Sequence, residues 1–168
     1  MKILIIATPR TGSSTLTHRL GTYLNLKKYY EPFNLRKPLI ERELQPNRIP
    51  DNCVVKCIVD QIPKELKNDA FYQDYSKKFD KVILLARKNI TAQIESYNWL
   101  CNQDSLQKNQ PYVYTKQPDY SIHEQYIIRL NRMLKALELE LGVRITYYED
   151  IYRVELTKIR VDERKTRI

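Results

Sequence analysis

The sequence has few of the features that mark a membrane-spanning, secreted or disulfide-bonded protein. No apolar run in its 168 residues approaches the ~20 that span a bilayer. The apolar stretch after Met1 is short and lacks a small-residue cleavage site, so we do not expect a signal peptide. The three cysteines, Cys53, Cys57 and Cys101, are an odd number, and we expect reduced thiols rather than disulfide partners or metal ligands. These absences predict a cytoplasmic protein without a transmembrane segment.

The sequence has only two histidines, and its 20 acidic residues are fewer than its 29 lysines and arginines. His18 and His123 fall within predicted helices, where we expect solvated positions rather than catalytic ones. The net charge of +9 favours an anionic ligand. The positive charge is spread out, however, and there is no aromatic RNA-binding signature among the 13 tyrosines. Nucleic acid is therefore not the expected partner, although charge alone supports a non-catalytic nucleotide- or nucleic-acid-binding module as an alternative.

Apolar runs and helical patterns alternate along the chain. Continuous apolar runs at 3–7, 52–59 and 81–87 are typical of buried parallel strands. The alternation predicts an α/β fold of P-loop NTPase-like type, three-layered, with a mainly parallel sheet of about four or five strands and helices on both faces. We expect one domain over 1–168, with 157–168 as a basic tail. Further strands are predicted at 28–30 and 143–148, helices from about Thr15 to about Asn25, over 61–78, 89–103 and 120–141 and from Asp150, and loops over 34–51 and 103–118.

The turn after the first strand has the composition of an anion site. The segment Thr8–Ser14 contains Pro9, Arg10 and Gly12, and Ser13, Ser14 and Thr15 add hydroxyl donors where it leads into a helix. Unpaired amides at a helix N-terminus and the helix dipole favour a bound anion. Arginine adds a planar cation that matches phosphate or sulfate. An ordinary turn capped by a hydroxyl is the simpler alternative.

This turn differs from the nucleotide-binding motif GxxxxGK[ST]. If Gly12 is aligned with the second glycine, Ala7 replaces the first and Ser13 replaces the lysine. That lysine normally reaches the β- and γ-phosphates, so its absence argues against phosphoryl transfer. A small P-loop nucleotide or metabolite kinase is the rival interpretation. A kinase would need an acidic magnesium ligand at the end of a strand, and Asp60 is the candidate for it.

The segment PRTGSSTL resembles the 5′-phosphosulfate loop of sulfotransferases that use 3′-phosphoadenosine 5′-phosphosulfate (PAPS). The resemblance implies that the loop binds the 5′-phosphosulfate group and that Arg10 stabilises the charge that develops on the leaving phosphate. It also implies PAPS as co-substrate, no metal, and a hydroxyl acceptor such as a carbohydrate, a glycolipid or another small molecule. The loop residues assigned to PAPS are Pro9, Arg10, Thr11, Gly12, Ser13, Ser14 and Thr15.

A second segment, ARKNITAQIESYNW, is similar to the 3′-phosphate segment of bacterial glycolipid sulfotransferases. In that family an arginine at a strand end and a serine in the following helix bind the 3′-phosphate of PAPS. The matching residues are Arg87 and Ser96, with Gln93 also in the pattern. Other branches have a spacing one residue shorter, which would make Lys88 the cation. An ordinary surface arginine and an ordinary helix serine are the alternative.

Glu31 is the candidate general base. Transfer to a hydroxyl requires a group that accepts the acceptor's proton, and the segment YEPF resembles the glutamate segment of many sulfotransferases. Pro32 is expected to hold Glu31 in an extended conformation. A solvated loop carboxylate is the alternative. Lys56, within an otherwise apolar strand, is either at a sheet edge, snorkelling to solvent, or turned toward the site.

Three further segments carry expectations of their own. Tyr112 and Tyr114 lie in a predicted loop, and their aromatic faces suit a sugar or a lipid-linked acceptor, although most tyrosines are packing residues. The segment 147–150, YYED, resembles a recurrent structural element of the sulfotransferase family. The terminal segment DERKTRI either supplies cations to the nucleotide or is a frayed tail.

Overall fold

A computed structural model of the chain describes residues 1–34, 44, 48–61, 70–107 and 120–152, with the backbone alone for 102–107 and 120–122. Its elements alternate between strand and helix in the predicted order. They are β1 (Lys2–Ala7), α1 (Ser13–Tyr23), β2 (Lys27–Tyr30), β3 (Cys53–Ile58), α2 (Phe71–Ser76), β4 (Lys81–Ala86), α3 (Ile90–Gln107), α4 (Tyr120–Leu141), β5 (Ile145–Tyr147) and α5 (Tyr148–Ile151).

The five strands form one parallel sheet in the order β2-β3-β1-β4-β5. Strand β1 lies at its centre, between β3 and β4. Every residue of β1 from Ile3 onward is buried, and so is every residue of β3. A strand covered on both faces needs apolar residues at successive positions, which is why these runs do not alternate with polar ones. The expected α/β fold with a parallel sheet of about five strands is confirmed.

Helices cover both faces of the sheet. On one face, the alternate β1 residues Ile3 and Ile5 pack with Leu16 of α1. On the other, Leu4 and Ile6 belong to a larger core that includes the buried residues of α2 and three leucines of α4, Leu130, Leu134 and Leu137. Successive strand residues point to opposite faces, so one apolar run supplies both cores. The architecture therefore has the three expected layers.

The larger core ends in an aromatic cluster beneath the loop that follows β2. The ring of Phe33 contacts Phe71 edge-on, with centroids 5.8 Å apart, and Tyr75 at 5.3 Å. Phe71 and Tyr75 stack at 5.3 Å, and Phe33 is 1% exposed. Aromatic pairs in these geometries add to the stability that comes from area burial. The cluster fixes the chain two residues after Glu31.

Several element boundaries differ from the sequence predictions. Of the helix predicted over 61–78, the structure describes α2 (Phe71–Ser76), whereas Gln61 is not helical and 62–69 lie outside the described residues. Helix α3 continues to Gln107, four residues beyond the expected end. Residues 102–107, all polar except Leu106, lack the repeated apolar spacing that marks a helix but do not prevent one. The strand predicted over 143–148 is limited to Ile145–Tyr147, and α5 begins at Tyr148 rather than at Asp150. Aromatic residues 147 and 148 resemble a strand continuation in sequence, whereas Glu149 folds back to accept hydrogen bonds from the backbone of Lys88 and Asn89.

Other expectations concern histidines, cysteines and segments that the structure does not describe. His18 is exposed as predicted, whereas His123 is half-buried against the Tyr97 ring and hydrogen-bonds Asn98. Cys53 and Cys57 are buried free thiols, as expected, and Cys101 is also free. No helix within the described residues is long and apolar enough to cross a membrane. The predicted loop residues Tyr112 and Tyr114 and the basic tail 157–168 lie outside the described residues.

Helix α4 provides a direct test of the larger core. Leu134 is fully buried and Leu139, on the same helix, is 79% exposed. We expect Leu134→Ala to lower the free energy of unfolding by about 3 kcal/mol, because it removes buried apolar contacts and leaves a cavity. Leu139→Ala is expected to change it by less than about 0.5 kcal/mol. Urea unfolding followed by circular dichroism measures both, and equal losses would contradict the position of α4.

Candidate functional site

A cavity of about 700 Å³ opens at the carboxyl edge of the sheet. Residues that follow each of the five strands line it, as do side chains of α3 and α4. Ligands of parallel α/β sheets bind at this edge, and the volume lies in the range of small-molecule sites. The candidate residues on its wall are Pro9, Arg10, Gly12, Ser13, Ser14, Thr15, Glu31, Arg87 and Ser96.

The turn after β1 presents the N-terminus of α1 to this cavity. Gly12 is the N-cap residue, with φ of 71°, and no side chain caps the helix. The first-turn amides are therefore not satisfied by a capping side chain, as an anion site requires. Thr11 is the one predicted loop residue that does not line the cavity. Its buried hydroxyl donates to the carbonyl of Thr8 at 2.8 Å and so shapes the turn.

Gln93 holds this turn from behind, a role that the sequence analysis did not assign. Its side chain is fully buried, and Nε2 donates to Thr8 Oγ1 at 2.9 Å and to the Pro9 carbonyl at 2.6 Å. Asn131 Nδ2 in turn donates to Gln93 Oε1 at 3.1 Å. A fully satisfied buried amide is rigid and specific in its partners. The sequence signal that could have identified Gln93 was its place in the ARKNITAQIES segment, where it belongs to the matched pattern.

Ser96 faces Arg10 rather than Arg87. Arg10 Nε donates to Ser96 Oγ at 2.8 Å. Arg87 lies on the same cavity but is 3.7 Å from Glu149 Oε1, and its guanidinium is 5.1 Å from the centre of the Tyr148 ring. The Nε of Arg87 is buried and has no hydrogen-bond partner among the described residues. The structure thus brings Arg10, Arg87 and Ser96 to one cavity, but the serine is hydrogen-bonded to Arg10 and not to Arg87.

Of the two candidate cations after β4, Arg87 lines the cavity and Lys88 does not. The Lys88 ammonium pairs with Asp150 and is 53% exposed. Glu149 accepts hydrogen bonds from the backbone of Lys88 at 2.9 Å and of Asn89 at 3.1 Å. The two carboxylates of the YYED segment therefore fix the segment that carries Arg87, which is a structural role.

The tyrosines of α5 and its C-cap pack against the anion turn. The rings of Tyr148 and Tyr152 lie 4.7 Å apart, with Arg87 over Tyr148 and Arg19 over Tyr152. Tyr152 donates from its hydroxyl to the Gly12 carbonyl at 3.3 Å. A Cβ atom at Gly12 would lie 2.7 Å from a Tyr148 ring carbon. Glycine is thus required at this turn both by its backbone angle and by the close approach of the ring.

Glu31 follows β2 in a left-handed conformation, not the extended one expected. Its φ is 49°, and its backbone N–H donates to the Lys56 carbonyl at 2.8 Å. A following proline disfavours the right-handed helical region but does not by itself impose an extended chain. Contacts of both backbone and side chain hold this conformation, since Gln61 Nε2 at 3.0 Å, Asn34 Nδ2 at 3.2 Å and Lys56 Nζ all donate to the carboxylate.

Lys56 is turned toward the site, and is neither at a sheet edge nor extended to solvent. Strand β3 lies between β2 and β1, so Lys56 is not at a sheet edge, and the residue is 4% exposed. Its ammonium pairs with Glu31 and donates to Ser14 Oγ at 3.2 Å. A cation therefore reaches the first turn of α1 from the neighbouring strand.

The environment of Glu31 lowers its pKa. Burial is the largest single effect and raises the pKa, but the Lys56 charge and the hydrogen bonds from Lys56, Gln61 and Asn34 together outweigh it. The pKa of Glu31 is therefore below its ordinary value of 4.5. The side chain is an anion at neutral pH, which is the protonation state of a base.

Backbone strain is concentrated at two of the candidate residues. Among the described residues, four that are not glycine have positive φ, namely Arg10, Asn25, Glu31 and Asn52. Asparagine adopts this region readily, whereas arginine and glutamate do so at a cost of about 1–2 kcal/mol. Strain of this kind persists where the surroundings enforce it and clusters at functional sites. Arg10 and Glu31 are thus distinguished independently of any sequence motif.

Comparison with known proteins supports the fold. No protein-family model matches the chain, and no curated protein matches it. The crystal structure of YorR protein from Bacillus subtilis in complex with phosphorylated GDP is similar over 98% of this chain and 98% of that chain, with a TM-score of 0.53 and 9% sequence identity. Because the sequence identity is only 9%, the similarity concerns the fold alone, which is a P-loop-type α/β fold.

The packing of Gly12 can be tested with a matched glycine. Gly142 also has positive φ, but a Cβ there would meet nothing within 4 Å. We expect Gly142→Ala to lower the free energy of unfolding by about 1 kcal/mol, from backbone strain alone. Gly12→Ala should cost at least about 1 kcal/mol more, because the tyrosine rings must also move. Urea unfolding gives both values, and equal losses would mean that Tyr148 does not press on the turn.

The lowered pKa of Glu31 predicts a pH-dependent contribution to stability. A carboxyl with a depressed folded-state pKa stabilises the fold above its unfolded pKa, and loses that contribution as pH falls through the folded value. We therefore expect the difference in unfolding free energy between wild type and Glu31→Gln to shrink as pH falls from about 7 to about 3. Glu140→Gln, which removes an exposed carboxylate of the same size, corrects for the loss of one charge. A difference that grows toward low pH would contradict the pairing.

Proposed function

We propose that this protein is a PAPS-dependent sulfotransferase, which transfers the sulfuryl group of PAPS to a hydroxyl acceptor and releases 3′-phosphoadenosine 5′-phosphate (PAP). The observation that carries the proposal is the content of the cavity. It combines an uncapped helix N-terminus, Arg10, an ionised Glu31 paired with Lys56, and Arg87 on the far side of the central strand. The resemblance of two segments to sulfotransferase motifs adds independent support.

The cavity has two positions suited to anionic groups. The first is the turn after β1, where α1 amides and Arg10 converge. The second is Arg87, after β4, which lines the cavity; its buried Nε lies 3.7 Å from Glu149 Oε1 and makes no hydrogen bond to the described residues. A buried donor without a hydrogen bond is costly, and a guanidinium on a cavity wall suits an anionic oxygen. PAPS carries a 5′-phosphosulfate and a 3′-phosphate, so its two anionic groups match the two positions.

The chemistry requires one bond to form and one to break. The acceptor oxygen bonds to sulfur while the bond between sulfur and the bridging oxygen of the 5′-phosphate breaks, and the acceptor proton passes to Glu31. Arg10 offsets the negative charge that develops on the departing phosphate. Lys56 keeps Glu31 ionised and is near enough to Ser14 to contribute positive charge at the same turn.

A small P-loop nucleotide or metabolite kinase is the second candidate. The likeness to YorR in complex with phosphorylated GDP favours it, and Asp60 lies on the cavity. Against it, Ser13 occupies the position where the P-loop lysine reaches the β- and γ-phosphates. Asp60 also already accepts a hydrogen bond from Tyr126 at 3.0 Å.

Calorimetry with PAP and with magnesium-ATP separates the two candidates. We expect PAP to bind at micromolar concentration and magnesium-ATP to bind far more weakly. Arg87→Ala should weaken PAP binding by about 2 kcal/mol or more, roughly 30-fold in Kd, because a charge-assisted contact to phosphate is lost. Arg132→Ala, which removes an exposed arginine of α4, is the control and should leave the Kd unchanged.

The outcome decides the proposal in either direction. Preferential binding of ATP over PAP would refute the sulfotransferase assignment and favour the kinase. Absence of binding by either nucleotide would refute both and leave the anion-binding module. PAP binding that is equally weakened by Arg87→Ala and Arg132→Ala would show a general effect of charge rather than a phosphate site.

A further inference from the structure

The end of β3 forms a wall of hydrogen-bond acceptors beside Glu31. Residues Ile58–Gln61 close a turn in which the Gln61 N–H donates to the Ile58 carbonyl at 2.9 Å. Both Asp60 and Gln61 line the cavity. In the strand order, β3 and β2 lie on one side of β1, whereas β4 and β5 lie on the other. This wall is therefore on the opposite side of the anion turn from Arg87.

Gln61 presents an unsatisfied oxygen at this wall. Its Nε2 donates to Glu31 Oε2 at 3.0 Å, which fixes the orientation of the amide because the reverse orientation would place two acceptors together. Its Oε1 is buried and has no partner among the described residues. A buried carbonyl oxygen without a donor is costly, so the position favours a ligand that carries a hydrogen-bond donor.

Asp60 adds a second acceptor whose orientation is also fixed. Its Oδ2 accepts from the Tyr126 hydroxyl at 3.0 Å and lies 3.8 Å from the Arg129 guanidinium. Both of these contacts are made by Oδ2, and Oδ1 of Asp60 has no hydrogen bond or ion pair with the described residues. Burial of Tyr126, together with the Asp60 charge, raises the pKa of Tyr126, so its hydroxyl stays a donor to the carboxylate. The remaining oxygen of Asp60 is thus available to a ligand donor.

Two aromatic rings complete the surroundings of these acceptors. Tyr97 and Tyr126 both line the cavity, with ring centroids 5.5 Å apart. Tyrosine offers an apolar ring together with a polar tip, which suits a ligand that is itself part apolar and part polar. Each carboxylate of the wall has a cation beside it, Lys56 at Glu31 and Arg129 at Asp60, which reduces its attraction for a cationic ligand.

We infer that Asp60, Gln61 and Tyr126 form the acceptor subsite, and that the acceptor is a carbohydrate with adjacent hydroxyls. One hydroxyl donates to Glu31 and reacts, while its neighbours donate to Gln61 Oε1 and Asp60. A simple phenol has one hydroxyl, so it would leave the other two acceptors unsatisfied. Sites that are built to bind hydroxyl groups discriminate strongly against ligands that lack them. This inference rests on the proposed sulfuryl transfer for its reacting hydroxyl.

Sulfuryl transfer from labelled PAPS tests the acceptor class. The acceptors are a panel of neutral mono- and disaccharides, with 4-nitrophenol and 2-naphthol as single-hydroxyl comparisons. We expect at least one saccharide to exceed both phenols in kcat/KM by about 100-fold or more. A phenol as the best acceptor, or no saccharide transfer by a protein that binds PAP, would overturn the inference.

Variants of the wall test the residues. Asp60→Asn is expected to raise the saccharide KM about tenfold with little change in kcat, because it alters a contact remote from the reacting oxygen. Gln61→Leu should raise KM and lower kcat, because it also removes a hydrogen bond to Glu31. Gln73→Leu, at an exposed glutamine of α2, is the control. The PAP Kd should stay within about twofold in all three, and an unchanged saccharide KM in both wall variants would refute the subsite.

Ligand-observed NMR separates failure of this inference from failure of the proposed function. Saccharide binding to wild type, Asp60→Asn and Gln61→Leu is measured in the absence of any nucleotide. If PAP does not bind but saccharides do, and the wall variants weaken them, the subsite stands and the sulfotransferase assignment fails. If PAP binds and saccharides neither bind nor react, the acceptor inference fails alone. Thermal unfolding of each variant shows whether a lost signal is a lost fold.

Discussion

The buried ammonium group of Lys56 is the constraint on which the cavity depends. An uncompensated charge in the interior costs several kcal/mol, so a lysine that is 4% exposed must be paired. Lys56 is paired with Glu31 and hydrogen-bonded to Ser14, which ties β3 to the loop after β2 and to the first turn of α1. Buried ion pairs are weak sources of net stability. The consequence of this one is geometric, because it holds an ionised carboxylate beside the anion turn.

The rest of the site is held by packing that surrounds strained residues. Arg10 and Glu31 both have positive φ, an arrangement that persists only when neighbouring contacts enforce it. Behind Arg10, the buried amide of Gln93 binds the Pro9 carbonyl. Beyond Glu31, Phe33 is enclosed by an aromatic cluster. Fixing these groups before a ligand arrives reduces the ordering cost of binding and aims them at one place.

Much of the fold follows from local pattern. Buried parallel strands need uninterrupted apolar runs, so β1, β3 and β4 could be found from sequence to within a residue or two. Periodicity likewise predicted α4 with its observed bounds. Boundaries failed where long-range contacts decide them, as at Tyr148, whose neighbour Glu149 is bound by the backbone after β4. The sequence could place the candidate residues at one sheet edge, because parallel strands end together.

The amino-acid order alone specified the alternation of strands and helices, the glycine turn before α1 and the missing P-loop lysine, since each is a property of neighbouring residues. Tertiary structure decided which groups meet. Both faces of β3 are buried, so period-two reasoning could not tell which way Lys56 points. Ser96 lies nine residues after Arg87 yet bonds Arg10, 86 residues away. Such contacts depend on strand order and helix packing across the whole sheet, which local pattern does not encode.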